Sequence, residues 1–168
     1  MKKKDDRFQD EALGRSRGGL STKIHLSCDG KGRLLSAVLT PGQRHDCTQL
    51  QYILDAIRVP RQGKGRPRKR PSQLIADRGY SYAPCRLLLT QRGIPHTIPE
   101  RKDQRIRRSK RPGRPLSFSK KLYASRNVIE RCINRLKQWR GIATRYEKRA
   151  LYFHAALLIV ALIDWLKY

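Results

Sequence analysis

Acidic residues are scarce in this chain: its 168 residues hold 13 Asp and Glu against 39 Lys and Arg, a formal excess of +26. Such an imbalance points to a polyanionic partner, with nucleic acid as the first candidate. An anionic membrane surface competes on charge alone, but the basic residues gather in Pro- and Gly-containing segments rather than along one amphipathic helix. Long apolar runs are also missing. The most apolar stretch, residues 155–163, is bounded by His154 and Asp164, well short of the roughly 20 residues a membrane span needs, and reads as a buried core helix. The N-terminus is positive but no apolar stretch follows it, which argues against a secretion signal. Cysteine is sparse. Cys28, Cys47, Cys85 and Cys132 lie far apart with no Cys-x-x-Cys pair, so neither a zinc knuckle nor a disulfide framework is indicated. They are expected as small buried residues in a reducing cytosol. No internal repeat or compositional seam divides the chain, whose length suits one domain.

What is present reads as mixed α/β. Residues up to about 13 are charged and aperiodic and suit a disordered leader. Residues 19–27 and 34–40 read as a hairpin around the turn 29–32, stopped by Pro41 and Gly42. Asp46, with Gln49 three residues on, fits a capping box opening a helix through Ile57. Residues 58–70 carry seven Arg or Lys among Pro and Gly, and should form a mobile basic loop that contacts phosphate. A short strand over 73–76 ends at Asp77. A helix over 83–92 stops at Gly93, and 95–99 is strand-like. A second basic run, 101–116, also reads as a loop and leads into a helix bearing Glu130. A last long helix, 148–167, is expected to pack Leu151, Ala155, Leu158 and Leu162 on the sheet.

The helix around Glu130 is the most informative segment. At about 100° per residue, Tyr123, Arg126, Glu130 and Lys137 fall within an arc of roughly 60°. Leu122, Ile129, Ile133 and Leu136 form an apolar stripe roughly a quarter turn away, which sets the polar ridge at the edge of the core. The plain reading is a solvated helix with an Arg126 to Glu130 pair. The chemical reading is one carboxylate set among bases, suited to a metal ion.

The spacing Tyr, two residues, Arg, three residues, Glu, six residues, Lys resembles the segment around the last acid of the DDE transposases of bacterial insertion sequences. Residues 14–25, 39–46, 75–80 and 135–146 resemble further segments of that family, in the same order. The resemblance covers nearly the whole chain after Leu13 and implies a ribonuclease H-like mixed sheet flanked by helices, in a catalytic domain over 14–168. It implies cleavage and transfer of DNA strands with Mg²⁺ or Mn²⁺ held by carboxylates. On the family pattern Asp77 is the second acid and Glu130 the third, both catalytic and both metal ligands. Tyr123, Arg126 and Lys137 then position DNA phosphates, and Arg15, Arg17 and Arg78 join them as DNA contacts. Without the resemblance, the alternative for Asp77 is a turn cap, and Asp46 reads first as a helix cap.

The family's first acid sits on an opening strand upstream of the segment matching 14–25, and this chain is expected to lack that strand. Asp5, Asp6, Asp10 and Glu11 do not match it. The helical segment that recognises element ends is expected upstream as well. Two functions follow: a catalytic transposase domain or fragment, and an inactive basic DNA-binding remnant that occupies DNA ends or inhibits full-length copies. The implied partners are transposon ends, target DNA, and further copies in a homo- or hetero-oligomer with full-length transposase. The implied location is the bacterial cytoplasm, near the nucleoid. A ribosomal or RNA-associated protein fits the charge but leaves the spaced Glu segment unexplained.

Overall fold

The computed structural model describes residues 11–16, 18–110, 112–113 and 116–167. Gly14–Ser16 (β1), Gly19–Cys28 (β2) and Leu34–Pro41 (β3) form an antiparallel sheet in that order. Its main unit is the expected hairpin, in register from Thr22 opposite Pro41 to Ser27 opposite Ser36, with an irregularity at Ser27 and Cys28. The turn is made by Asp29, whose carboxylate accepts the Lys31 and Arg33 amides and the Arg33 guanidinium. Leu74–Ile75 (β4) and His96–Thr97 (β5) make a separate two-stranded parallel sheet. The strands therefore stand as two sheets rather than one.

The helices are Leu50–Ala56 (α1), Ala83–Gln91 (α2), Lys102–Ser109 (α3), Lys120–Ala124 (α4), Asn127–Lys137 (α5), Arg140–Ala143 (α6) and Ala150–Leu166 (α7). Two apolar clusters organise them. Leu34 and Ala37 of β3 pack with Cys132 and Leu136 of α5, Ile142 of α6, and Phe153, Leu157, Val160 and Ala161 of α7. Leu50 and Leu54 of α1 pack with Cys85 and Leu89 of α2 and with Ile94 and Ile98, drawing in Leu35, Leu74 and Ala76. One hairpin thus seeds a core on each side, which is the mixed α/β arrangement the element order implied.

Three expectations need correction. The face of α7 is the reverse of the one predicted: Phe153 and Leu157 are fully buried, whereas Leu151, Ala155, Leu158 and Leu162 are exposed. This helix is apolar almost all round, so periodicity carried no phase, and the largest side chain, Phe153, fills the core. The run 101–116 is not simply a loop, because α3 occupies 102–109. The Arg101 and Gln104 side chains cap its start reciprocally, and Arg108 holds Glu100 at 2.6 Å. The basic segment after α1 is the loop expected, with a bridge between Val59 and Arg68 at its base, bonded at 3.0 and 2.8 Å. Finally, the charged leader ends before Leu13. Ala12 is buried, and Glu11 accepts the Ala150 amide at the start of α7 at 2.6 Å. The rest of that leader, residues 1–10, lies outside the described residues.

The cysteines behave largely as expected: all four are free thiols, Cys85 and Cys132 buried, Cys28 and Cys47 half-buried. Among the described residues no helix is long and apolar enough to cross a membrane.

Candidate functional site

Asp77 stands two residues past the end of β4 and opens the 3-10 turn Arg78–Tyr80, its Oδ1 accepting the Gly79 amide at 2.8 Å. Gly79 lets two acids come close, since any side chain here would push their carboxylates aside. A Cβ on it would lie 2.9 Å from Asp77 Oδ1 and 3.2 Å from Asp46 Oδ2. Two carboxylates, far apart in sequence, therefore converge on one glycine. Tyr80 adds to the same picture: burial chiefly, then the charges of Asp46 and Asp77, push its phenol up from the ordinary value.

Asp46 is not the helix cap that its spacing suggested. His45 takes that place, its ring accepting the Cys47 amide, and Asp46 is the first residue of the 3-10 turn Asp46–Gln49. Its carboxylate faces β2 instead, 3.1 Å from Lys23 Nζ and 3.6 Å from His25 Nδ1. The alternation of β2 puts Lys23 and His25 on the same side. His25 is buried and its Nε2 pairs with Thr40 Oγ1 at 2.7 Å.

Burial lowers the His25 pKa below its ordinary value; Asp46 opposes that shift and Lys23 adds to it. A histidine depressed in the folded state leaves the unfolded chain to take up the proton first. Stability is thus full above the unfolded pKa, about 6.5, and falls as pH drops through the interval down to the folded pKa. We expect thermal unfolding scans to show a falling midpoint from pH 7 toward pH 5. In His25→Gln that slope should flatten, each tenfold loss of proton affinity on folding being worth about 1.4 kcal/mol; an unchanged slope would assign the acid sensitivity elsewhere.

The Glu130 ridge is two helices rather than one. α4 ends at Ala124, and the chain turns through Ser125 and Arg126 with i to i−3 bonds before α5 begins. The ridge survives this break. Arg126 pairs with Glu130 at 2.6 Å, and its guanidinium lies 5.6 Å from the centre of the Tyr123 ring. Lys137 is exposed on α5, seven residues and about 10 Å beyond Glu130. The i,i+4 pair is thus present, and Glu130 itself is half exposed. Of the apolar stripe, Leu136 is buried, Ile129 and Ile133 are half-buried, and Leu122 is exposed.

A cleft of about 520 Å³ is lined by Leu26–Cys28 of β2, Ile75 and Ala76 at β4, and Arg126, Val128 and Ile129 at the start of α5. The neighbours of both sequence-predicted acids, Ala76 beside Asp77 and Ile129 beside Glu130, thus border one cleft. Asp77 stands with Asp46 and Glu130 stands with Arg126. Among the described residues no group of three or more His, Cys, Asp or Glu is close enough to hold a metal ion. Carboxylate oxygens are hard donors of the kind a divalent cation takes, and Asp46 with Asp77 brings two such groups to Gly79.

Arg78 is exposed in the turn after Asp77, and Arg15 is exposed on β1 opposite Leu20. Arg17 lies outside the described residues. In the bridged basic segment, Arg61, Arg68 and Arg70 line a broad recess with Gly93 and Pro95. Sequence reasoning missed Asp46 as a neighbour of Asp77. The signal was there: the matching segment 39–46 ends on that acid.

The sequence pattern of the family described as Transposase DDE domain matches residues 3–165. Over 146 residues the chain is 34% identical to a protein of Burkholderia cepacia named as a transposase for insertion sequence element IS402, covering 86% of this chain. It spans 63% of that relative's length. A protein of Brucella ovis, named as a transposase for insertion sequence element IS6501, is 28% identical over 148 residues, which is 88% of this chain and 100% of the relative. No solved structure matches. With its motifs in order and the family pattern running almost end to end, the chain belongs to the family of transposase DDE domains.

Proposed function

We propose that this chain forms the catalytic domain, or a fragment of one, of an insertion-sequence transposase that cleaves and transfers DNA strands. Asp77 and Glu130 are its catalytic acids and would hold Mg²⁺ or Mn²⁺. Bound there, the ions would lower the pKa of the attacking water or hydroxyl and offset charge on the leaving oxygen. The single observation that carries the reading is the acid at the end of β4: Asp77 is exposed, aimed by the Gly79 amide and beside a second carboxylate. Acids at carboxyl ends of strands in open α/β sheets face the ligand crevice. A ribonuclease H-like fold agrees with a hairpin covered by helices and a parallel strand pair ending at that acid.

The remaining residues bind and orient. Arg126 and Tyr123 stack at the ridge, and with Lys137 they would receive DNA phosphates, Arg126 sharing its guanidinium between phosphate and Glu130. Arg15, Arg17 and Arg78 would extend that contact, and the basic segment 58–70 and α3 would follow the duplex outward. The partners on this reading are transposon ends and target DNA, with further transposase copies in a homo- or hetero-oligomer. The place of action is the bacterial cytoplasm.

A second reading, a DNA-binding transposase fragment without cleavage, is favoured by two facts: no triple cluster of donors stands among the described residues, and Glu130 is engaged by Arg126. Nicking of supercoiled plasmid by the purified chain in Mn²⁺ or Mg²⁺, with a chelator control, separates the two. Chelator-sensitive nicking supports the catalytic reading. Salt-sensitive binding without nicking leaves the second.

A further inference from the structure

The segment 135–146 resembles the family beyond Lys137, yet the proposed chemistry makes no use of its end. That end carries an unusual surface. Trp139 is 44% exposed, Tyr146 is 58% exposed, and Tyr152 at the start of α7 is 52% exposed. Arginines already lie near two of these rings: Arg140 is 5.9 Å from the centre of Tyr146, and Arg149 is 5.9 Å from that of Tyr152. Lys137 precedes the group and Lys148 lies within it, both exposed.

The loop that presents these rings is held from beneath. Arg145 takes a left-handed backbone, φ 48°. Its guanidinium donates to the carbonyls of Glu11, Ala12 and Lys148 and to Thr22, anchoring the loop to β2 and to the residues before β1. The Tyr146 amide bonds the Gly141 carbonyl at 3.3 Å. The two tryptophans differ in a telling way. Trp165 donates its indole N–H to the Leu34 carbonyl at 2.8 Å and lies under Arg33, whereas Trp139 is held through its backbone, its amide donating to Leu136 and its carbonyl accepting from Ile142 and Ala143, and its indole N–H makes no hydrogen bond among the described residues.

Flat rings open to solvent, interleaved with cations and held on a fixed loop, are what unpaired nucleobases stack on. A duplex hides its base faces. We propose that Trp139, Arg140 and Tyr146 form a stacking platform for unpaired bases of a single-stranded nucleic acid, extended by Arg149 and Tyr152. Trp139 lies nine residues past Glu130, just beyond the end of α5 at Lys137. The inference rests on the nucleic-acid reading above but not on cleavage.

Binding of three fluorescently tagged probes tests it: a twenty-residue oligothymidylate, an abasic strand of equal length, and a twenty-base-pair duplex. At 1–3 kcal/mol per stacked base, Trp139→Ala and Tyr146→Ala should each weaken oligothymidylate binding about 5- to 150-fold. Abasic and duplex affinities should hold, because the phosphate contacts remain. Trp139→Phe should recover most of the loss, and the salt slope should not change. Both rings are exposed, so unfolding midpoints should stay constant. Equal losses on all three probes, or no loss on any, would overturn the platform. So would unchanged oligothymidylate binding with a lowered oligomeric mass, which would make this a protein interface. A wild-type chain that binds none of the probes would sink the nucleic-acid reading itself.

Discussion

Asp77→Asn should lower metal-dependent strand cleavage by at least about a thousandfold, about 4 kcal/mol of barrier, while DNA affinity hardly changes. Asparagine keeps the side-chain oxygen that accepts the Gly79 amide, so the turn after β4 should survive. What disappears is the negative charge that a hard divalent cation requires. Glu130→Gln should act alike on cleavage, and its lost pair with Arg126 should cost little stability, because exposed pairs contribute about 0.2–1 kcal/mol. Plasmid nicking in Mn²⁺ reads the activity and fluorescence anisotropy reads the affinity. Undiminished nicking by either variant would remove that acid from the site. Asp46→Asn is the informative third variant: a loss equal to that of Asp77→Asn would make Asp46, held by Lys23 and His25, a working member of the acid set.

Asp46 also shows where sequence logic reaches its limit. A capping box and an ion pair across a sheet use the same residue type, and local spacing sees only the first. The decisive contacts run from β2 to the turn after β3 and on to Gly79, and none of these separations is periodic. Asp77 was easier to read. Its dual role as turn cap and exposed acid is local, fixed by the glycine two residues on. The Glu130 ridge was legible for a similar reason, since Tyr123, Arg126 and Glu130 sit within two turns, close enough to meet despite the break at Ser125. Whether β4 and α5 bring Asp77 and Glu130 to one cleft depends on tertiary packing that no window of sequence contains.

The fold was legible to differing degrees for equally physical reasons. The hairpin β2–β3 was read nearly to the residue, because alternation, a turn built on Asp29 and a stop at Pro41 all agree. α3 is hard to see in the sequence because its charge density is that of a loop. Lys, Asp, Gln and Arg are adequate helix formers, and the breakers Pro112 and Gly113 come only after Ser109. Arg108 pairing with Glu100 removes some of the repulsion that composition alone suggested.

The phase of α7 gives the sharpest stability test. Leu157 is wholly buried against β3 and α5, and Leu158, the next residue, is 46% exposed. Leu157→Ala should cost about 2–5 kcal/mol, from lost transfer energy plus the cavity left behind. For a chain of this size that lowers the thermal midpoint by about 5–15 °C. Leu158→Ala should stay within about 0.5 kcal/mol of the parent, although the expectation from periodicity alone placed Leu158 in the core. Phe153→Ala should match or exceed Leu157→Ala, because Phe153 is among the largest fully buried side chains and lies beneath the Arg145 guanidinium at 5.2 Å. Urea unfolding of the three variants measures this directly. Equal losses at 157 and 158 would mean that both faces of the helix are covered in solution, with the exposed row Leu151, Leu158 and Leu162 closed by another surface. A loss confined to 158 would invert the helix and with it the core built on Phe153 and Leu157.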